Sequence, residues 1–364
     1  MKFRCEREIL ADALTTAGRA ATNRSGTLPV LSGVRLDVTD GRLTVTGTDL
    51  ELTIRLSVPV HVDKEGSAVV PARLVGDIVK ALPPGAVDIT VTDDEMSISA
   101  GRSQFSVRPL SLSDYPAQTE TDSAPVTLSS QQVGDALRQV VRAASTDDAR
   151  AVLTGVLMSS EDDGLKMVAT DSYRLAVRDL PQTSMLAVGQ KVLVPGRALA
   201  ELQRVLTADA ELSVRLGARE AVFEVGGTRL STRLIEGEYP NYRNLLPSSY
   251  PNRLTVGREA LLEALRRVKI LAQDSTPVRL ALGGDTLRLT AITQDVGNAH
   301  EEIDASYEGT EMTVAFNPDY LAAGIDAVEG DEVTLATIDP MKPAVLRGVG
   351  HDEYLYLLMP VRVP

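Results

Sequence analysis

The chain has no tryptophan, four phenylalanines, one cysteine and three histidines among its 364 residues. So few rings imply cores built from aliphatic side chains. A lone cysteine, Cys5, excludes an internal disulfide and suits a reducing compartment. His61, His300 and His351 are scattered, and no Cys-x-x-Cys or His-Glu-x-x-His pattern occurs, so no metal or other cofactor is expected. Phosphate-binding glycine loops are missing too; Gly348-Val349-Gly350 reads as a strand turn. No segment reaches the roughly 20 apolar residues that span a bilayer. The first residues, Met1-Lys2-Phe3-Arg4 with Glu6, Glu8 and Asp12 following, lack the uncharged apolar core of an export signal, which makes the cytoplasm the expected location.

What is present is ordinary in bulk and regular in order. Charged residues make up 24% and hydrophobic residues 43%, the composition of a globular protein. One pattern recurs: an apolar strand, a proline-led turn and an amphipathic helix. It occurs at Val69-Val70-Pro71-Ala72-Arg73-Leu74, at Val192-Leu193-Val194-Pro195-Gly196-Arg197 and at Val314-Ala315-Phe316-Asn317-Pro318-Asp319. The prolines lie 124 and 123 residues apart, too far for a solenoid repeat and right for a small domain. Thr48-Asp49, Thr170-Asp171 and Thr293-Gln294-Asp295 keep the same interval, as do Tyr115-Pro116 and Tyr239-Pro240. The chain is therefore triplicated, with domains expected at 1–120, 121–249 and 250–364.

Local periodicity makes each third an α+β unit. Leu52, Ile54, Leu56 and Val58 alternate, as do Leu212, Val214 and Leu216, and Val278, Leu280 and Leu282, which is the period of a sheet with one covered face. Ile9, Leu10, Ala13, Leu14 and Ala17 follow helical spacing, as do Val133, Ala136, Leu137 and Val140, and Leu261, Leu262, Leu265 and Val268. Each third thus opens with a helix, passes through strands to the proline-led second helix, and ends in strands.

The net charge of −13 argues against nucleic acid if taken alone, since phosphate binding relies on a basic surface. Its distribution is uneven: Arg258, Arg266, Arg267 and Lys269 cluster on one helix, whereas Asp93-Asp94-Glu95 and Glu161-Asp162-Asp163 fall in strand turns. Both kinds of cluster also read as ordinary solvated faces. No catalytic constellation is visible. Asp49 and Asp171 recur in register, and residues that recur with a structural repeat read as turn caps rather than an acid pair. A β-rich hydrolase and an exported repeat-built binding protein are the competing classes.

The ordered set of motifs resembles one family. Thr27-Leu28-Pro29-Val30-Leu31, Thr46-Gly47-Thr48-Asp49-Leu50-Glu51, Ala169-Thr170-Asp171-Ser172-Tyr173-Arg174-Leu175-Ala176, Glu236-Gly237-Glu238-Tyr239-Pro240-Asn241-Tyr242 and the terminal Leu358-Met359-Pro360-Val361-Arg362, with the three proline turns, look like the bacterial DNA polymerase III β subunit, the sliding clamp, in an actinobacterial form. The resemblance spans the whole chain.

It implies a non-enzymatic processivity factor: three tandem clamp domains per chain, and two chains head to tail in a ring around double-stranded DNA. Replicative polymerase, clamp loader and repair proteins would bind through short peptides. The peptide groove would take Leu153, Thr170, Ser172, Tyr173, Arg174 and Leu175, then Pro240, Asn244, Leu245, Asn317 and Tyr320, and finally Pro343, Met359, Pro360, Val361 and Arg362. Family positions put the homodimer contact at Phe105 and Val107 against Ile270 and Leu271, with Arg73 and Arg102 facing Glu301 and Glu302. The expected DNA-facing cations are Arg24, Arg138, Arg142, Arg150, Arg197, Arg204, Arg266, Arg267 and Lys269. The Arg362-Val363-Pro364 ending departs from many relatives, and two other features depart from some: Asn244 in place of an arginine, and Asp148-Ala149-Arg150-Ala151-Val152 in place of an aromatic pair on a DNA-contacting loop.

Overall fold

The computed structural model describes residues 1–21, 28–117, 123–161, 164–247, 249–272 and 276–362. The three sequence repeats supply equivalent strings of elements. The first contains β1 (Lys2–Glu6), α1 (Arg7–Gly18), β2 (Gly33–Thr39), β3 (Arg42–Thr48), β4 (Leu52–Pro59), β5 (His61–Lys64), β6 (Gly66–Pro71), α2 (Ala72–Ala81), β7 (Ala86–Val91), β8 (Met96–Ala100) and β9 (Ser103–Val107). The second contains β10 (Val126–Ser129), α3 (Ser130–Val140), β11 (Gly155–Glu161), β12 (Gly164–Thr170), β13 (Arg174–Pro181), β14 (Lys191–Pro195), α4 (Gly196–Val205), β15 (Glu211–Leu216), β16 (Glu220–Val225) and β17 (Thr228–Arg233). The third contains β18 (Asn252–Gly257), α5 (Arg258–Lys269), β19 (Val278–Gly283), β20 (Thr286–Thr293), β21 (Gly297–Glu308), β22 (Met312–Phe316), α6 (Pro318–Ala327), β23 (Glu332–Thr337), β24 (Ala344–Gly348) and β25 (His351–Leu358). No helix among the described residues is long and apolar enough to cross a membrane.

The predicted periods become faces. In α1 the side chains of Leu10, Ala13, Leu14 and Ala17 are buried, and the helix lies so close to β3 that a Cβ on Gly47 would stand 2.0 Å from the Ala17 carbonyl oxygen. The prolines mark where strand becomes helix: Pro71 ends β6 and Pro195 ends β14, while Pro318 opens α6 where its missing N–H costs nothing. The Asn317 side chain caps that helix, accepting from the Asp319 N–H at 2.9 Å and the Tyr320 N–H at 3.1 Å. Asn317→Ala should remove about 1 kcal/mol from this end. Amide exchange in the first turn of α6 should then quicken about fivefold, and unchanged exchange there would show that the cap contributes nothing. The run from Val141 to Ala143 tightens into a 3-10 turn after α3, and α5 stops at Lys269 with Ile270 as its cap, 74% exposed.

Contacts divide the chain into two units, residues 1–131 with 201–234 and residues 132–200 with 235–364. They cut across the three repeats because the last strand of one repeat joins the sheet of the repeat before it. In the first unit a five-stranded sheet runs β5-β1-β7-β8-β9 and an eight-stranded sheet runs β10-β15-β16-β17-β4-β3-β2-β6. The second unit holds a twelve-stranded sheet, β14-β11-β12-β13-β25-β24-β23-β18-β21-β20-β19-β22. The two repeat-to-repeat seams, β4 with β17 and β13 with β25, are both antiparallel and in the same register: Leu52 faces Thr232 as Arg174 faces Leu358, and Ile54 faces Leu230 as Ala176 faces Tyr356.

Candidate functional site

The seam between β13 and β25 carries the densest group of predicted site residues. The turn between β12 and β13 is built by its own side chains. The Thr170 hydroxyl accepts from the Ser172 N–H at 3.1 Å, and Asp171 Oδ1 accepts from the N–H groups of Tyr173 and Arg174 at 2.9 and 3.0 Å. These bonds hold Ser172 at φ 80°, a left-handed conformation that costs a non-glycine residue energy. Asp171, 7% exposed, is thus the turn cap that its recurrence implied. Its other oxygen takes Arg174 Nε at 3.0 Å, and the Arg174 guanidinium lies 4.3 Å from the centroid of the Tyr320 ring. Tyr356 donates to the Tyr320 carbonyl at 3.0 Å, and burial pushes its phenol up to about 12, so it stays neutral.

The chain's end completes the site. Met359 N–H donates to the Tyr173 carbonyl at 2.9 Å and Val361 N–H to the Ala315 carbonyl at 2.8 Å, which fixes the tail across the seam. Tyr173, Leu245 and Met359 are exposed, at 60%, 44% and 38%. Beneath them Leu157, Val168, Leu175, Val177, Leu355 and Leu357 form an apolar floor, against which Tyr239 and Leu246 pack. Leu175 has no exposed surface, and Leu153 and Thr170 are nearly as buried, so these three support the surface and do not form its walls. Ser172, Pro240, Asn244 and Arg362 are exposed; Asn317, Tyr320, Pro343, Pro360 and Val361 are partly so. The residues expected at the groove did not include Tyr242, which is buried in the same cluster and closes the motif that begins at Glu236. The hydroxyls of Tyr242 and Tyr250 are buried without a hydrogen-bond partner among the described residues.

Arg150 lies at this site too. It donates to the Asp171 carbonyl and the Ser172 hydroxyl, both at 3.1 Å, and its Nε meets Asp147 at 3.0 Å. Arg150→Ala should therefore weaken peptide binding severalfold by loosening the 171–172 turn while leaving DNA retention nearly unchanged. Matched titrations with a groove peptide and with DNA test this, and the opposite pattern would return Arg150 to the DNA-facing set.

Most other predicted cations already have carboxylates. Arg142 meets Asp326 at 2.6 Å, Arg204 meets Glu201 at 2.5 Å, Arg266 lies 3.9 Å from Glu259, and Lys269 pairs with Asp319. Arg138 donates to the Asp326 carbonyl at 3.4 Å, and Arg197 is exposed on α4. Arg24 lies outside the described residues. Apart from the pair of Arg204, whose partner Glu201 is buried, these pairs are exposed and contribute little to stability, so their cations can exchange partners for phosphate. At the predicted dimer contact, Phe105 is 40% exposed but Val107 is buried in its own core. Arg73 lies 3.9 Å from Asp77, and Arg102 is exposed in the β8–β9 turn. Glu301 and Glu302 bind Arg267 and Arg288 of the same chain, each at 2.9 Å.

Known proteins match this arrangement along its whole length. Models of the DNA polymerase III beta subunit fit in tandem: the N-terminal domain over residues 1–119, the central domain over 127–241 and the C-terminal domain over 243–362. The beta sliding clamp of Streptomyces coelicolor is 34% identical over 380 aligned positions, with all of both chains covered, and that of Staphylococcus aureus is 32% identical over 377. Among solved structures, the DNA polymerase sliding clamp of Bacillus subtilis superposes with a TM-score of 0.90 at 26% identity. A Bartonella birtlesii sliding clamp bound to griselimycin does so at 0.90 and 30%. Both structures cover 100% of each chain. The chain belongs to the DNA polymerase III beta subunit family.

Proposed function

We propose that two copies of this chain close head to tail into a ring around duplex DNA. The chain is a DNA sliding clamp, the processivity factor of the replicative polymerase, and not an enzyme. The observation that carries the ring is an unfilled third seam. The seams β4·β17 and β13·β25 join the strand after a Thr-Asp turn to the last strand of the next repeat. Among the described residues, the equivalent strand of the third repeat, β21, pairs over residues 297–304 only with β20, and β9, the last strand of the first repeat, is a sheet edge. Pairing β9 of one copy with β21 of the other, twice, gives six similar domains with no open seam. The domains are assigned to 1–120, 121–249 and 250–364, an assignment supported by the three tandem family matches.

A closed ring holds its polymerase by topology, so rebinding is governed by local concentration rather than by bulk affinity. Weak phosphate attraction from paired arginines permits sliding, and the net charge of −13 discourages DNA outside the hole. Polymerase, clamp loader and repair proteins are assigned to the groove over the β13·β25 seam, where Tyr173, Leu245 and Met359 receive the apolar end of a short peptide. The cytoplasm, where the chromosome lies, is the assigned location. Clamps loaded on a nicked circular plasmid should stay bound until the circle is cut, then slide off the ends. Equal retention on linear and circular DNA would overturn the ring.

A further inference from the structure

The first seam has its own cleft, of about 330 Å³, bordered by β4, β17 and the segment at Pro116-Ala117. It repeats the groove of the second unit position by position. Thr48 and Leu50 occupy the places of Thr170 and Ser172: the Thr48 hydroxyl accepts from the Leu50 N–H at 3.1 Å, and Leu50 has φ 78°. Asp49 Oδ1 accepts from the N–H groups of Glu51 and Leu52 at 3.1 and 2.8 Å, as Asp171 does from Tyr173 and Arg174. Arg233 N–H donates to the Glu51 carbonyl at 3.0 Å, which is the bond between Met359 and Tyr173 in the second unit. The backbone of the groove is copied.

Its chemistry is not. The register puts Thr53, Arg55, Arg229 and Ser231 where the second unit has Leu175, Val177, Leu355 and Leu357, and Arg233 where it has Met359. An apolar floor has become a polar one. Arg55 and Arg229 face each other directly across the two strands, a like-charge pair that destabilises a sheet unless something offsets it. Arg229 lies 3.6 Å from Glu224, whereas the side chains of Arg55 and Arg233 make no hydrogen bond or ion pair among the described residues. Both are exposed. Because Leu52, Ile54 and Leu56 of β4 are buried, Thr53 and Arg55 alternate onto the opposite face of the sheet.

We propose that this cleft is a second ligand site, taking an acidic peptide segment whose carboxylates bridge Arg55, Arg229 and Arg233. On a chain of net charge −13 these arginines are a local reversal of sign. Each guanidinium offers a two-pronged donor that fits a carboxylate, and the Thr53 and Ser231 hydroxyls can donate beside it. Glu51 and Glu220 also line the cleft, so a ligand is selected by where its carboxylates sit rather than by bulk charge. A cleft of this volume between two strands admits a few side chains and not a duplex. That favours a peptide over DNA. The site rests on its own lining and stands or falls independently of peptide binding at the groove.

The test uses the full-length chain with fluorescein-labelled octaglutamate as probe and octaglutamine as the neutral control. Octaglutamate should bind, weaken as salt is raised, and slow amide exchange at residues 50–56 and 228–234. Arg55→Ala with Arg233→Ala should weaken binding at least tenfold; these side chains are exposed, so the melting temperature should hold, and Arg→Gln replacements serve if it does not. Truncation after Leu358 should leave octaglutamate affinity unchanged. Equal affinity in the double variant, equal binding of octaglutamine, or protection mapped elsewhere would overturn the site. A short DNA duplex protecting the same residues more strongly than octaglutamate would overturn its assignment to a peptide.

Discussion

Replacing Ile270 and Leu271 by alanine together should convert the chain to monomers. Ile270 is 74% exposed just past the end of α5, so its side chain is open to a second surface. Burial of each residue in an interface is worth on the order of 2 to 5 kcal/mol against alanine. A loss of about 4 kcal/mol is roughly a thousandfold in affinity, and a two-fold ring suffers it at both of its contacts. Sedimentation at micromolar concentration reads the result, and a persistent dimer would overturn the assigned contact. The internal seams also predict the register of the proposed third one. By equivalence with Ile54 facing Leu230 and Leu56 facing Thr228, Phe105 should face Ala299, and Ser103 should face Glu301, of the second copy. Cysteines at 103 and 301 should then form an intermolecular disulfide, since directly opposed strand positions lie within disulfide reach. Cysteines at 103 and 302 point to opposite faces and should not. The native Cys5 is 4% exposed and adds little background.

The elements were legible in the sequence because their signals are local. Alternation in β4 and β15, helical spacing in α1 and α5, and the prolines at 71, 195 and 318 each act within a turn or two of chain, so no distant residue has to be known. The seams were not legible in the same way. Nothing in Leu52–Pro59 announces that its neighbour will be Thr228–Arg233, because register between strands so far apart is set by which apolar faces meet a common core. The groove residues came from family likeness, and their burial did not come with them. Leu175 reads as one more apolar residue in a strand, and only the packing of Tyr239 and Tyr242 shows that it is floor. The basic residues show the same limit. Arg150 bonds to a turn 21 residues away, Lys269 to an aspartate 50 away and Arg142 to one 184 away, so a count of cations on helices overstates the charge free to meet DNA.

Ending the chain after Leu358 should abolish peptide binding at the groove and leave the dimer whole. Two hydrogen bonds hold the tail, from Met359 N–H to the Tyr173 carbonyl and from Val361 N–H to the Ala315 carbonyl, so residues 359–361 cross the seam and do not dangle from it. Removing them takes away the exposed Met359 and uncovers the floor around Leu357, while β25 itself keeps its pairing to β13 and β24. The apolar end of a peptide then loses one wall and its backbone loses its neighbours. A short linear peptide that orders on binding has little surplus affinity, about micromolar in total, so losing about 3 kcal/mol, roughly a hundredfold, moves it out of the range that calorimetry reads. Calorimetry with a short groove peptide that has an apolar end should show no heat, and sedimentation of the same sample should show a dimer, because β9 and β21 are untouched. Full affinity in the truncated chain would remove the tail from the site. Loss of the dimer along with binding would show that groove and ring contact are one structure, and that Val361 on Ala315 supports both.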